Sequence, residues 1–275
     1  MALVVNTNLY SMTAQKNMAV HSEKLAGSFA KLSSGLRIVS AADDAAGLGI
    51  SERMRSEIRS LQMAQRNSQD GISLVQTAEG ALAEVSSNLI RMRELAVEAS
   101  NGTLSSADRT SLNDEFAALA DEIERVGDET EFNGINILDG SSTSIAIQVG
   151  VDNGQTIDIT TTDMQAVSLG VDSGTLDITT VTNAGTALGA LDGAIDTVVA
   201  QRGDFGASQN RLQSAMRSIA TAAENLSAAE SRIRDVDVAA ETAELTKNRI
   251  LQQAANSVLA QANTQPQMAL SLLQG

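Results

Sequence analysis

One run of heptad spacing constrains this chain more than anything else in it. From residue 188 to 233, side chains return at alternating steps of three and four: Leu188, Leu191, Ile195, Val198, Arg202, Phe205, Gln209, Leu212, Met216, Ile219, Ala223, Leu226, Glu230 and Ile233. Only Arg202, Gln209 and Glu230 interrupt the apolar series. That spacing lays one stripe along a helix, and a stripe sustained for so many turns needs a partner helix of similar length. The segment 45–100 is the one other stretch long enough. No proline breaks it, and Ile72, Val75, Leu82, Val85, Leu89, Met92 and Ala96 share a face. Such a helix would be roughly 80 Å long. With one Pro in 275 residues, little in the sequence stops helices running this far. Aromatics are only 2%, so burial must come from Ala, Leu, Ile, Val and Met on closely approached helices.

Shorter elements surround this pair. A first helix is expected over about 6–33, with Leu25, Phe29, Leu32 and Leu36 spaced 4-3-4. Asp43 or Asp44 can cap the long helix that follows, and Asn101-Gly102 stops it. Ser105 with Asp108 resembles a capping box opening a helix over 105–126, which Gly127 is expected to end. The period then changes to two. Ile145, Ile147 and Val149, then Ile157 and Ile159, flank Asn153-Gly154 as a hairpin with a type I′ turn would. The run 150–160 recurs as 170–179, which predicts a second, similar hairpin. A last helix over 238–273 presents Leu251, Ala255, Val258 and Ala262. The fold class is therefore mainly α: a long antiparallel helical coiled-coil rod with terminal helices and a small central β-hairpin insert at its far tip. The expected segments are 1–44, 45–140, 141–183, 184–235 and 236–275. Both terminal helices are expected to lack a partner within the chain.

Charge and composition exclude most chemistry. The formal net charge is −15. Between Val126 and Gln201 there is no Lys or Arg, while eleven acids from Asp128 to Asp196 fall in that window. A surface of that kind repels phosphates, so neither nucleic acid nor anionic lipid is an expected partner. With no Cys there is no disulfide framework or thiolate zinc site, and with His21 alone there is no His-based triad or two-His metal motif. Gly47-Leu48-Gly49 lacks the rest of a dinucleotide loop, and Asp152-Asn153-Gly154 and Asp172-Ser173-Gly174 lack the rest of a calcium loop. No catalytic residue, cofactor site or metal site is expected, and the chain does not read as an enzyme. The two ends are the opposite of the acidic middle. No charged side chain occurs over 1–15 or 250–275, yet Asn6, Thr7, Asn8, Gln252, Gln253 and Asn256 rule out membrane insertion. Such ends suit burial against other chains. The start has neither a basic n-region nor a continuous apolar stretch, so no cleaved signal peptide is expected.

At both ends the residues carry specific motifs. In the first part these are Asn6-Thr7-Asn8, the run from Leu32 to Ile38, Asp43 to Leu48, Asp70 to Leu82, Arg93 to Val97, and Phe132-Asn133-Gly134. In the last part they are Gln209 to Leu212, Glu224 to Ala229 and Ile250 to Asn263. In these runs, spanning about 1–140 and 190–275, the chain resembles bacterial flagellin, the subunit of the flagellar filament. It departs from many members in its short centre, about fifty residues where they carry large variable outer domains. The resemblance implies a structural subunit that self-assembles into a helical filament for motility, lying outside the cell. It implies that 1–44 and 236–275 form the inner filament core, through Leu9, Met12, Leu25, Phe29, Leu32, Leu251, Val258 and Leu259. As partners it implies further copies of the chain, an export chaperone on the C-terminal helix, the filament cap and hook-junction proteins, and the vertebrate innate immune receptor for flagellin at Arg91, Leu95 and Glu115. Two other readings compete. A hook–filament junction protein shares similar terminal helices but not the dense C-terminal motifs. A chemoreceptor-like helical signalling rod would bring a membrane span and a helical tip.

Overall fold

The computed structural model describes the backbone of residues 7–274 and the side chains through residue 265. Asn6 and the residues before it, and the side chains beyond residue 265, lie outside the described residues. Six helices and two small hairpins follow one another: α1 (Leu9–Ser34), α2 (Ala45–Ala99), α3 (Ser106–Glu129), β1 (Glu131–Phe132), β2 (Ile135–Asn136), β3 (Ser144–Gln148), β4 (Thr156–Thr160), α4 (Ala166–Leu169), α5 (Val181–Arg234) and α6 (Val238–Gln274). They divide into two compact units. One comprises Met1–Ser56 with Asn225–Gly275, the other Glu57–Glu224, and the division falls inside α2 and α5.

In the second unit α2 and α5 run antiparallel. Gly71 meets Leu212, Glu79 pairs with Arg202 at 2.7 Å, and Arg93 pairs with Asp192 at 2.7 Å, so partners retreat along α5 as they advance along α2. Along the α5 seam Leu191, Val198, Phe205 and Leu212 are buried, while Leu188, Ile195, Arg202 and Gln209 between them are partly buried. Arg202 thus meets Glu79 from within the apolar series, a polar pair of the kind that fixes register. No lysine lies between Lys31 and Lys247, so every basic side chain of this unit is Arg.

Two expectations about this packing need correction. The seam has a third member, because Phe116, Ala120 and Ile123 of α3 are buried in the same cluster as Leu82, Val85, Leu89 and Met92 of α2. The β3–β4 hairpin, moreover, does not sit at a tip. Asn67 Nδ2 donates to the Gln148 carbonyl (3.2 Å), Gly71 lies against Ile147, and Gln201 Nε2 donates to the Thr160 carbonyl (2.8 Å). The hairpin therefore lies beside the middle of α2. The reason is α3: 24 residues of helix carry the chain back by about 36 Å before the strands begin.

Local signals account for most boundaries. Asn8 accepts from the Ser11 amide and opens α1, while Asp44 Oδ1 accepts from the amides of Ala46 and Gly47 at the start of α2. Ser105 and Asp108 form a complete capping box, and their bonds hold the Asp108 carboxyl below its usual range. Gly127 does not end α3, which continues to Glu129. Its role is steric: a Cβ there would come within 3.1–3.3 Å of Gln165, so glycine permits the close approach. The β3–β4 register pairs Ile145 with Ile159 and Ile147 with Ile157 as expected. Its connection, however, is not type I′. Gly154 is left-handed (φ +84°) and Asn153 is not, and the Gln155 amide reaches the Asp152 carbonyl at 3.3 Å, which is the type II pattern. Left-handed Asn133 (φ 53°) and Gly134 (φ 78°) instead make the type I′ turn between β1 and β2.

The second sequence copy forms no strand. Gly170 (φ 69°) terminates α4, and Val171 and Ile178 plug into the core on either side of a turn at 172–175. The first copy has Ser144–Gln148 upstream to pair with, whereas the second has a helix there. Asp177 closes this loop by accepting from the Asn183 side chain (2.9 and 3.0 Å), the Thr179 hydroxyl (2.6 Å) and the Thr179 amide (3.0 Å). Those bonds, Asn183 foremost, lower its pKa. A depressed carboxylate lends stability that is present above the unfolded value of about 3.9 and is lost as pH falls through the folded one. The melting temperature of Asp177→Asn is therefore expected to fall short of the parent's at neutral pH and to converge with it on acidification. A gap independent of pH would contradict this.

Candidate subunit interface

The first unit pairs the two ends of the chain. Asn8 Nδ2 donates to the Ala262 carbonyl (2.8 Å) and Ser11 Oγ to Asn263 Oδ1 (2.9 Å); with Leu36 bridging Asp235 at the opposite ends, α1 and α6 lie antiparallel. The expectation that neither end has a partner within the chain is overturned. At their other ends the connecting turns are joined. Leu36 bridges Asp235, the Arg37 amide donates to the Arg234 carbonyl (2.6 Å), and the Val236 amide to the Gly35 carbonyl (3.0 Å). Arg234 is nearly buried there and pairs with Glu52 at 2.6 Å. Left-handed Gly35 (φ 73°) makes the sharp exit from α1 possible.

What this pairing buries is small. Ser11, Ala14 and Ser28 of α1, with Asn248 and Ala262 of α6, are the buried side chains, and Met18, His21, Leu25 and Leu32 are partly covered in the same heptad rhythm. Small seam residues let the helix backbones approach closely, and dispersion then acts over a short gap. Several large apolar side chains lie outside the seam. Leu9 is 71% exposed, Met12 60%, Phe29 56% and Val258 57%, and Tyr10, Val20, Ile250 and Leu251 are also exposed. Exposed side chains of this size and apolarity mark candidate interaction sites. Of the residues expected at the filament core, Leu9, Met12, Phe29, Leu251 and Val258 face outward, while Leu25, Leu32 and Leu259 lie partly covered beside the intrachain seam.

The second group of expected contact residues lies in the other unit and divides. Arg91 reaches Glu115 across to α3 (2.8 Å) and Glu94 one turn on (3.0 Å), all three exposed. The Glu115 bond, then that of Glu94, raises the Arg91 pKa further. Leu95 is 0% exposed and packs in the helical core, so its assignment as a surface contact is corrected. The apolar side chains exposed on this stretch of α2 are Ile90 and Val97, which the spacing alone did not distinguish from Leu95. Among the described residues no helix is long and apolar enough to cross a membrane, and no group of His, Cys, Asp and Glu could hold a metal ion.

Terminal helices that pair with each other and still leave Leu9, Met12, Phe29 and Val258 exposed suit a helical protein that meets further chains. Family comparison says which. Residues 5–143 match the bacterial flagellin N-terminal helical region and residues 188–273 the bacterial flagellin C-terminal helical region. The chain belongs to the bacterial flagellin family. It is 49% identical to the flagellin of Halalkalibacterium halodurans over 98% of this chain and 100% of that one. Bacillus subtilis flagellin is 44% identical, over 98% of this chain and 99% of its own. The crystal structure of Bacillus cereus flagellin superposes with a TM-score of 0.51 at 37% identity, covering 60% of this chain and 94% of that one. The short centre is therefore shared with relatives of the same length rather than peculiar to this sequence.

Proposed function

We propose that this chain is the structural subunit of a bacterial flagellar filament, assembled by repeated contacts between copies. The observation that carries the reading is the set of large apolar side chains, Leu9, Met12, Phe29 and Val258 among them, that α1 and α6 leave exposed. A contact that joins one face to a different face of the next copy, without closing into a ring, grows an open helix. Purified chain seeded with short filament fragments should grow into long filaments by negative-stain microscopy. A chain that stays monomeric at high concentration, or closes into discrete oligomers, would sink the reading.

The same outward faces are proposed to engage the partners that handle the subunit before and after assembly. An export chaperone covering 238–275 would shield Leu251 and Val258, and deleting that segment should abolish its binding. Cap and hook-junction proteins are proposed to meet the same faces, so Val258→Asp should weaken them too. Export is proposed to run through the flagellum's own channel as an unfolded chain without a cleaved signal. With no Cys to cross-link and one Pro to isomerise, refolding outside meets few slow steps. An N-terminus beginning well inside residue 10 on the secreted protein would contradict it. In the second unit, the exposed Arg91–Glu115 pair flanked by Ile90 is proposed to contact the vertebrate innate immune receptor for flagellin, Arg being a frequent hot spot. Arg91→Ala is expected to lower receptor activation by the monomer at least tenfold, a loss of about 1.4 kcal/mol; unchanged activation would remove Arg91 from that surface.

A further inference from the structure

We propose that the Asn153–Gly154 bond is a site of self-modification, at which the Asn153 side-chain amide is converted into a mixture of aspartate and isoaspartate. The chemistry needs only this dipeptide and water. The Gly154 backbone nitrogen attacks the Asn153 Cγ, losing its proton as ammonia leaves, and a five-membered imide forms. Water then opens the imide at either carbonyl, giving aspartate or, with the main chain rerouted through the former side chain, isoaspartate. Ring closure requires the Gly154 nitrogen to swing against Cγ, so the step is governed by how freely that one peptide can turn and how open the next residue is.

The chain contains three Asn-Gly pairs, and the fold separates them. At Asn101-Gly102 the side-chain oxygen accepts from the Thr103 amide (3.2 Å), and the Asn101 carbonyl accepts from Arg109 Nη2 (2.8 Å) and the Leu104 amide (3.3 Å). That peptide is tied down on both sides. At Asn133-Gly134 both residues are left-handed in a two-residue turn between paired Phe132 and Ile135, so a swing there breaks the turn that makes the β1–β2 pair.

Asn153-Gly154 is held least. Both residues are exposed, the Asn153 side chain makes no hydrogen bond within the chain, and a Cβ built on Gly154 would meet nothing within 4 Å. The surrounding bonds belong to their neighbours: the Gln155 side chain exchanges bonds with Asp152 at 3.1 and 3.3 Å, and the Gln155 carbonyl accepts from the Val149 amide. Across the pair itself runs only the 3.3 Å bond from the Gln155 amide to the Asp152 carbonyl. Gly154 at φ +84° can take either hand when the peptide flips, which any other residue would resist. The strand pairs from Gln148–Thr156 outward do not depend on that peptide, so the product would keep its hairpin. Being spontaneous, the conversion would record the time elapsed since the chain folded.

The test uses the full chain, incubated folded at mildly alkaline pH and cut before aspartate. That cleavage places Asn153, Asn133 and Asn101 in separate fragments, 152–157, 128–138 and 70–107. Isoaspartate is expected to accumulate as an amide-to-acid mass gain in 152–157 and aspartate, itself a new cleavage point, as 153–157, together severalfold faster than the matching products of the other two, with isoaspartate detected by enzymatic methyl transfer. Gly154→Ala should slow it severalfold, and in denaturant the three fragments should react at similar rates. Equal rates in the folded chain, no gain in 152–157, or the same selectivity in denaturant would each overturn the proposal.

Discussion

The Val258→Asp chain is expected to remain helical and monomeric at concentrations where the parent chain polymerises. Val258 is among the most exposed apolar residues of α6, so a carboxylate there meets only water in the free subunit. If neighbours cover it in the filament, the same carboxylate loses its hydration, and no charged side chain within 250–275 is there to compensate it. An uncompensated buried charge costs on the order of 3–5 kcal/mol. That raises the concentration needed for growth by about a thousandfold. Leu251→Asp should act in the same direction. Sedimentation of polymer measures the first effect and circular dichroism the intact helices. Normal filament yield from both variants would show that the outward faces are not where copies meet.

Phe205→Ala is expected to have one of the largest effects on folding of any single truncation in the second unit. Its ring is fully buried in the α5 seam, in the cluster that also holds Leu82, Leu89 and Phe116. Removing a buried ring leaves a cavity that long helices cannot collapse onto, a loss of about 3–5 kcal/mol. Against a typical domain stability of roughly 5–15 kcal/mol, that is enough to lower the melting temperature of the monomer by many degrees. Val199→Ala, two turns earlier and 56% exposed, serves as the control and is expected to change stability by less than about 0.5 kcal/mol. Comparable losses from the two would mean that the heptad stripe is not the structural seam.

Much of this architecture was legible because helix signals are local. The α2 and α5 stripes and the Ser105–Asp108 box depend on residues a few positions apart, and the Ile145–Ile159 strand pairs on two alternating runs joined by a short turn; each formed where the pattern placed it. What could not be read depended on partners. The copy at 170–179 has the residues of a strand and no strand to pair with. Gly127 looked like a stop and is a gap left for Gln165. Position of the hairpin was set by the length of α3, a distance rather than a motif. The α1–α6 seam was missed for a different reason. Apolar periodicity did mark Leu25 and Leu32, which lie in that seam, but its fully buried members are Ser11, Ala14, Ser28, Asn248 and Ala262, too small or too polar to announce a partner helix. Asn133-Gly134 did carry a readable signal for the β1–β2 turn, and only the brevity of its strands concealed it. Leu95 and Ile90 illustrate the limit of reading a helix face from spacing: five residues apart, one is core and the other surface.

The confinement of Lys16, Lys24, Lys31 and Lys247 to one unit has a practical consequence for chemistry on this chain. Apart from the amino terminus, an acylating reagent finds no amine anywhere in residues 57–224. Labelling therefore reports on α1 and α6 against a blank background. Dye uptake per chain, compared between monomer and polymer, becomes a direct gauge of how much of those two helices neighbouring copies shield. Fluorophores placed this way also leave the Arg-paired surface of the other unit chemically untouched.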